Sequence, residues 1–245
     1  MTRTFRAGAL TAAAISLMLA LAACVGPTPT PTPTPDAATP RPTPTATPTA
    51  EPVDPLTTVT TLVARPESLV LDDAAGDEIL SLDYLTPAAP AIEALTTVFG
   101  AAPEDEEYPG NSHFPPTTAH RWGGFELWET RYADRWADFA DQTPTLYRPS
   151  FRVQFKDSQS SGVALTTFDG IGVGYSWSDL QAIPDLQVNP SGCSGPYLDY
   201  IERDETWADG TVHAQRYGVD FTNLDDPDAI TEVGAPMPIH EDGCA

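Results

Sequence analysis

Apolar residues recur in this chain at two spacings, and the spacing changes along it. Leu69-Val70-Leu71 and the alternating Ile79-Leu80-Ser81-Leu82-Asp83-Tyr84 flank the turn-forming Asp73-Ala74-Ala75-Gly76-Asp77. That pattern predicts a pair of short strands. From Pro90 to Phe99 the period lengthens. Ile92, Leu95, Val98 and Phe99 share one helical face, and Gly100 suits the C-terminal cap. Strands are expected again at Gly124–Thr130, Phe151–Lys156, Val163–Thr167, Tyr197–Ile201 and Thr211–Phe221. A short helix is expected over Trp177–Ile183, with Ser176 or Ser178 available as its N-cap. Hairpin-like strands with two or three short helices predict an α+β fold built on a largely antiparallel sheet.

Residues 83–103 read DYLTPAAPAIEALTTVFGAAP, and residues 220–238 read DFTNLDDPDAITEVGAPMP. Both run from an Asp-aromatic strand end through a Pro-containing start and Ala-Ile to Thr-x-[Phe/Val]-Gly-Ala, and so both read as strand, short helix, Gly stop. Two degenerate copies of one unit, joined near residues 143–150, would explain the echo. A chance likeness of two Ala/Pro-rich helix ends explains it as well. The globular region, residues 56–245, is long enough for one large domain or two small ones.

The N-terminus has a different pattern. Arg3 and Arg6 precede an apolar run from Ala7 to Ala23, broken only by Gly8, Thr11 and Ser16. A positive start, a short apolar stretch and small residues at its exit describe an export signal. The run is shorter than the ~20 residues a helix needs to cross a bilayer. It ends in Leu21-Ala22-Ala23-Cys24, which resembles the lipobox of bacterial lipoproteins at all four positions. The resemblance covers residues 1–24. It implies that the Cys24 thiol receives a diacylglyceryl group and that the signal peptide, residues 1–23, is removed before it. Two or three acyl chains on one residue are enough for stable anchoring. The expected location is the extracytoplasmic face of the cell membrane.

From Pro27 to Pro55 there are 11 prolines and 9 threonines, strictly alternating from Pro27 to Pro35. Residues 24–55 cannot bury a core and favour extended polyproline II, about 3.1 Å per residue. They read as a stiff stalk.

Charge narrows the partners. The chain has 12 Lys+Arg against 35 Asp+Glu. Loss of Arg3 and Arg6 with the signal leaves 10 against 35, a net −25, and Lys156 is the single lysine. That field disfavours nucleic acid and anionic lipid surfaces as partners, and suits an acidic solvated exterior. A basic protein or a cation is mildly favoured. With Cys24 lipidated, Cys193 and Cys244 remain, and two cysteines in an exported domain are expected to pair. Neither has a flanking Lys, Arg or His to make a reactive thiol; His240 is near but not adjacent to Cys244.

Catalytic signatures are absent from the sequence. Gly174-Tyr-Ser-Trp-Ser lacks the closing glycine of a nucleophile elbow, and no zinc helix, phosphate loop or EF-hand loop occurs. The run Gly170-Ile-Gly-Val-Gly suits a close-packed strand better than a phosphate cradle. His113 and His120 sit seven apart in a Pro-rich loop and could share a metal with a carboxylate, but proximity means little among so many acids; His213 reads as a strand residue. No metal or cofactor is expected. Acid groups abound: Asp72/Asp73, Glu104–Glu107, Asp199/Glu202/Asp204/Glu205 and Asp225/Asp226/Asp228; Glu104–Glu107 reads as a solvated loop, and Asp225/Asp226/Asp228 as preceding the last helix, where negative charge complements the dipole. A hydrolase would need two of these carboxylates held across a cleft, which spacing alone does not show.

The most suggestive cluster is Trp122, Phe125, Trp128, Tyr132, Trp136 and Phe139, with Phe125 on the strand face opposite Glu126 and Trp128. If exposed, Trp122, Trp128, Tyr132 and Trp136 could stack on a sugar or anchor a protein partner. If buried, they are the core of a domain short of Leu and Ile, and that reading is favoured. Finally, Asp169-Gly-Ile-Gly-Val-Gly-Tyr-Ser-Trp-Ser-Asp-Leu-Gln resembles the strand-to-helix entry of small α+β lipoprotein domains similar to BamE/SmpA and the β-lactamase-inhibitor proteins. It lacks their usual Leu-Gly-x-Pro after the helix, having Ile183-Pro184-Asp185. The resemblance implies a domain that binds another protein and catalyses nothing. The function expected is therefore a lipid-anchored binding module for an unknown protein or glycan. A secreted hydrolase, or a carbohydrate- or cation-binding module, are the rivals.

Overall fold

A computed structural model describes residues 53–110, 115–131, 149–190, 192, 194–206 and 210–239. All lie in one compact unit. Cys24, Cys193 and Cys244, the signal peptide and nearly all of the stalk lie outside the described residues. So do His113, His240, Tyr132, Trp136, Phe139 and most of the suggested joint near 143–150.

The fold is α+β, with a large strand content and mostly antiparallel pairing. A 3-10 turn, Pro55–Thr58, is capped by the Asp54 carboxylate and leads into β1 (Val59–Ala64). Next come β2 (Ser68–Asp73), β3 (Glu78–Asp83), helix α1 (Ala88–Phe99), β4 (Glu104–Tyr108), β5 (Thr117–Trp122) and β6 (Phe125–Thr130). After them follow β7 (Phe151–Phe155), β8 (Gln159–Ser160), β9 (Val163–Thr167), the short helix α2 (Trp177–Gln181), β10 (Tyr197–Thr206), β11 (Val212–Thr222) and β12 (Glu232–Pro238). The strands form a five-stranded sheet, β3-β2-β1-β9-β8, and a seven-stranded sheet, β10-β11-β12-β7-β6-β5-β4.

Pairing register explains the core. In the smaller sheet Leu80, Leu71, Leu62 and Leu165 are successive cross-strand partners, with Leu82, Leu69, Ala64 and Thr167 in the next row. In the larger sheet Phe125 pairs with Phe155, which pairs with Val233. These rows, with Ala88, Ala91, Leu95 and Phe99 of α1, make one apolar core. The Phe99 ring sits 5.4 Å from Phe125 and 5.5 Å from Trp122, distances at which tilted aromatic pairs attract beyond simple burial.

The expected elements at β2, β3, β6, β7, β9, β10 and β11 are present within a few residues, and so are both helices. Helix α1 begins two residues before Pro90, because proline in the first turn forfeits only an amide that has no helical partner. It ends at Gly100, whose left-handed φ of 69° makes the cap. Helix α2 is capped by the Ser176 hydroxyl and stops at Gln181, ahead of Ile183, whose helical conformation Pro184 disfavours.

Several expectations are corrected. Glu104–Glu107 is not a loop but the edge strand β4, paired on one side only. His120 lies in strand β5 rather than in a Pro-rich loop. The Gly170–Gly174 run is not a strand. Gly170 closes a turn onto the Thr167 carbonyl, and the chain then crosses to Ile230 through the Gly174 amide. The second arm of the internal echo has no helix: where residues 88–99 are helical, 232–238 are strand β12. The amides of Ile230 and Thr231 bond Tyr175 and Thr222, and β-branched Val233 fills the gap between β11 and β7. Asp225, Asp226 and Asp228 therefore make a turn, with the Asp226 carboxylate accepting from the Asp228 amide at 2.9 Å.

Two glycines are fixed by close approach against strand β11 of the larger sheet. A Cβ on Gly195 would lie 1.6 Å from the Phe221 carbonyl oxygen, and one on Gly234 would lie 2.5 Å from Asp220 Oδ1. Asp220 is buried, and that oxygen has no hydrogen-bond partner. Burial, reinforced by Glu232, pushes its carboxyl up to about 7, against the opposing pull of Arg152 and nearby amides.

Gly195→Ala should lower stability by more than about 2 kcal/mol, read from the urea midpoint, because backbone rather than a flexible side chain must give way. For Asp220 the folded state binds the proton more tightly than the unfolded chain, whose carboxyl has the ordinary value of 3.8. Its contribution is full below about pH 3.8 and is lost as pH rises through about 7. Asp220→Asn should therefore flatten the fall in melting temperature between those pH values and melt higher than wild type at pH 8. Parallel curves for the two proteins would refute the assignment.

Candidate functional site

The described surface carries a groove of about 440 Å³ lined by Asp169, Ile171, Tyr175, Ile183, Asp185, Leu198, Asp199 and Tyr200. Three separate segments build it. Asp169 sits in the tight turn after β9, closed by the Gly170 amide on the Thr167 carbonyl at 2.9 Å. Asp185 belongs to the turn after α2, where the Leu186 amide bonds the Ile183 carbonyl. Asp199 and Tyr200 come from β10, held against that turn by the Gln187–Tyr197 bridge.

Asp199 has an unusual backbone. Leu198 pairs with Val219 and Tyr200 with Gly218, so Asp199 is an extra residue in a bulge. Its φ is 46°, a left-handed conformation that Asp tolerates better than most side chains. The bulge turns its carboxylate off the ladder toward Arg65, whose Nε lies 3.3 Å from Oδ2. The contact is an ion pair by distance, but its angle leaves Oδ2 without a hydrogen bond. Burial raises the Asp199 carboxyl above the ordinary range; Arg65 pulls it back and Asp169 pushes it further up. Arg65 also lies over the exposed Phe168 ring, 4.0 Å from its centroid. Asp169 and Asp185 have no ion-pair partner among the described residues. Tyr175 and Tyr200 are 37% and 52% exposed, and the Tyr200 ring meets Tyr197 edge-to-face at 5.9 Å.

The residues singled out from sequence go elsewhere. Trp122 is buried, packed on Phe99 and Phe125, with its Nε1 donating to the Ala101 carbonyl at 2.8 Å. Its ring is core. Trp128 lies half-buried on the opposite face of the larger sheet, stacked on Tyr108 at 5.2 Å, with its Nε1 donating to Glu126. Arg121 there bonds Glu106, Glu126 and the Tyr108 hydroxyl. This cluster satisfies its own charges across β4, β5 and β6.

His120 is buried with Nδ1 2.7 Å from Asp105 and Nε2 3.4 Å from Glu129, so it clamps edge strand β4 to β5 and β6. Among the described residues no three His, Cys, Asp or Glu side chains converge to hold a metal ion. His213 lies in strand β11. Of the groove residues, only Asp199 stood in an acid group conspicuous in the sequence. Leu198 and Tyr200 share its strand, the others come from the connecting segments, and no spacing signal links segments about 30 residues apart.

No family model matches this chain, and no curated protein or solved structure is similar to it.

Proposed function

We propose that this protein is a lipid-anchored extracytoplasmic binding module that catalyses nothing, and that the Asp199 groove is its ligand site. The observation carrying the reading is the groove itself: three carboxylates and two open tyrosines around an apolar floor of Ile171, Ile183 and Leu198. Concave sites of 300–1,000 Å³ with an apolar wall and a few polar groups are where small ligands and single side chains bind. A strained, bulged residue at such a site is a recurrent mark of function. The address rests on the lipobox at Leu21–Cys24 and on the Pro/Thr stalk, which would hold the domain away from the bilayer. Among the described residues no helix is long and apolar enough to cross a membrane.

One observation favours a second reading. Asp169 and Asp199 approach one another in a groove, and a carboxyl held above its ordinary range is what a hydrolytic general acid requires. The groove lining offers no Ser, Cys or His to such chemistry, so the hydrolase would have to be of the two-carboxylate type.

Two measurements test these readings. Cys24→Ala should move the protein from the membrane fraction to the soluble fraction; unchanged retention on the membrane would refute the lipid anchor. Against a panel of chromogenic glycosides the wild-type protein should show no turnover. Turnover lost in both Asp169→Asn and Asp199→Asn would instead establish the two-carboxylate hydrolase.

A further inference from the structure

We infer that Arg152 is a two-position switch on the face of the larger sheet that carries Trp128. Its guanidinium lies over the Trp128 ring while Asp220 is protonated, and crosses Gly234 to the Asp220 carboxylate once that group ionises. The switch arises from the register of this sheet and is separate from the Asp199 groove.

Partners in an antiparallel pair put their side chains on the same face. Trp128 pairs with Arg152, and Gln154, Gly234 and Asp220 are successive partners across β7, β12 and β11. Arg152 and Gln154 lie two apart on one strand, so these residues share the face opposite buried Val153, Phe155 and Val233. Gly234 leaves a gap in the row. Asp220 leans into it, since its Oδ1 lies 2.5 Å from where a Gly234 Cβ would be. That oxygen is buried and has no hydrogen-bond partner. On the other side of the gap the Gln154 side chain makes no hydrogen bond among the described residues. Arg152 is exposed and has no ion-pair partner among them, although the chain carries 35 Asp+Glu. It rests instead 5.3 Å from the Trp128 ring centroid.

The state of Asp220 decides between the two positions. An exposed cation is held only weakly by a ring face, whereas a charge-assisted hydrogen bond to a desolvated carboxylate is among the stronger contacts a guanidinium makes. A neutral Asp220 therefore leaves Arg152 on the ring, and an ionised one draws it away. The charged groups facing Asp220 leave this task to Arg152. From β12 comes Glu232, which opposes ionisation and is itself paired with Lys156, the residue after β7. From β10 comes Tyr197, the direct partner of Asp220, and from β11 itself Arg216, which is bonded to Glu202. The segment before β10 brings the Gly195 amide, which favours the ionised form. Burial first and Glu232 next push the carboxyl up to about 7 against the pull of Arg152, so the positions exchange near neutral pH.

Two-dimensional NMR of the indole N–H groups of the full-length protein in detergent tests the switch, with Trp128→Phe identifying the resonance. In wild type the Trp128 signal should shift as pH rises through about 7, when Arg152 leaves its ring. A signal that does not move there would overturn the inference. In Asp220→Asn it should keep its low-pH position throughout, and a titration that persists would trace to another group and refute the switch. Arg152→Ala should also abolish the shift, while leaving Asp220 itself to titrate. Melting temperature reads that second point. The folded carboxyl lies above its unfolded value of 3.8, so its contribution to stability is lost as pH rises from there through about 7. Without the opposing cation the folded value rises further, and in Arg152→Ala the fall should extend to higher pH than in wild type. The same pH dependence in both proteins would show that Arg152 does not reach the carboxylate, and the switch would fail.

Discussion

The one parallel strand pair among the described residues organises the rest of this structure. β1 and β9 are about a hundred residues apart in sequence, yet Leu62 pairs with Leu165 and Ala64 with Thr167. Parallel partners leave the sheet at the same end. Arg65, the first residue after β1, therefore emerges beside Phe168 and Asp169, the first residues after β9, and its guanidinium lies over the Phe168 ring. An antiparallel pairing would have sent these residues to opposite ends. The groove is thus a consequence of topology: one wall is the shared exit of β1 and β9, and the bulge in β10 brings Asp199 to meet it.

The same economy of cations shapes the larger sheet. Its edges, β4 and β10, carry Glu104–Glu107 at one side and Glu202, Arg203 and Asp204 at the other. Charged edge strands resist pairing with another chain, so part of the acidity guards against aggregation. His120 and Arg121 then tie β4 inward through Asp105, Glu106 and Glu126. Against strand β11 the requirement reverses, and side chains must be absent. Gly195 and Gly234 allow Phe221 and Asp220 to approach, and burial pushes the carboxyl of Asp220 up to about 7.

How much of this was legible in the sequence depended on whether each segment's pattern was local. β2, β3 and α1 are, because alternation and helical period follow directly from one buried face. β4 is not: Glu-Asp-Glu-Glu-Tyr is polar throughout, and only its pairing with β5 makes it a strand. β12 is not either. Gly234 and Pro236 break any strand pattern, but Gly234 faces Asp220 where no Cβ fits, and Pro236 falls just beyond the Val233–Ala235 pairing with β7. Trp122 and Trp128 were legible as an aromatic pair, but the sheet separates them, one into the core and one onto the opposite face. The groove was the least legible part, since Asp169, Asp185 and Asp199 meet only through the β1–β9 register and the Gln187–Tyr197 bridge.

That distinction bears on what the acidity means. Net charge of this size keeps a domain soluble, and no single carboxylate on an open surface specifies a ligand. Within the groove Asp199 is partly desolvated, whereas Asp169 and Asp185 are exposed, and in lower dielectric an uncompensated charge interacts more strongly with its neighbours. Asp199 shows the effect directly, shifted by burial against the influence of its own arginine. Like charges gathered in a concavity oppose folding, whereas the same residues spread over convex edges do so much less. Arg121, Lys156 and Arg216 are paired with carboxylates, whereas Asp169 and Asp185 in the groove have no ion-pair partner among the described residues, and neither do Asp72, Asp73, Asp77 and Glu78 around the β2–β3 turn, where burial and mutual repulsion raise the Asp72 carboxyl.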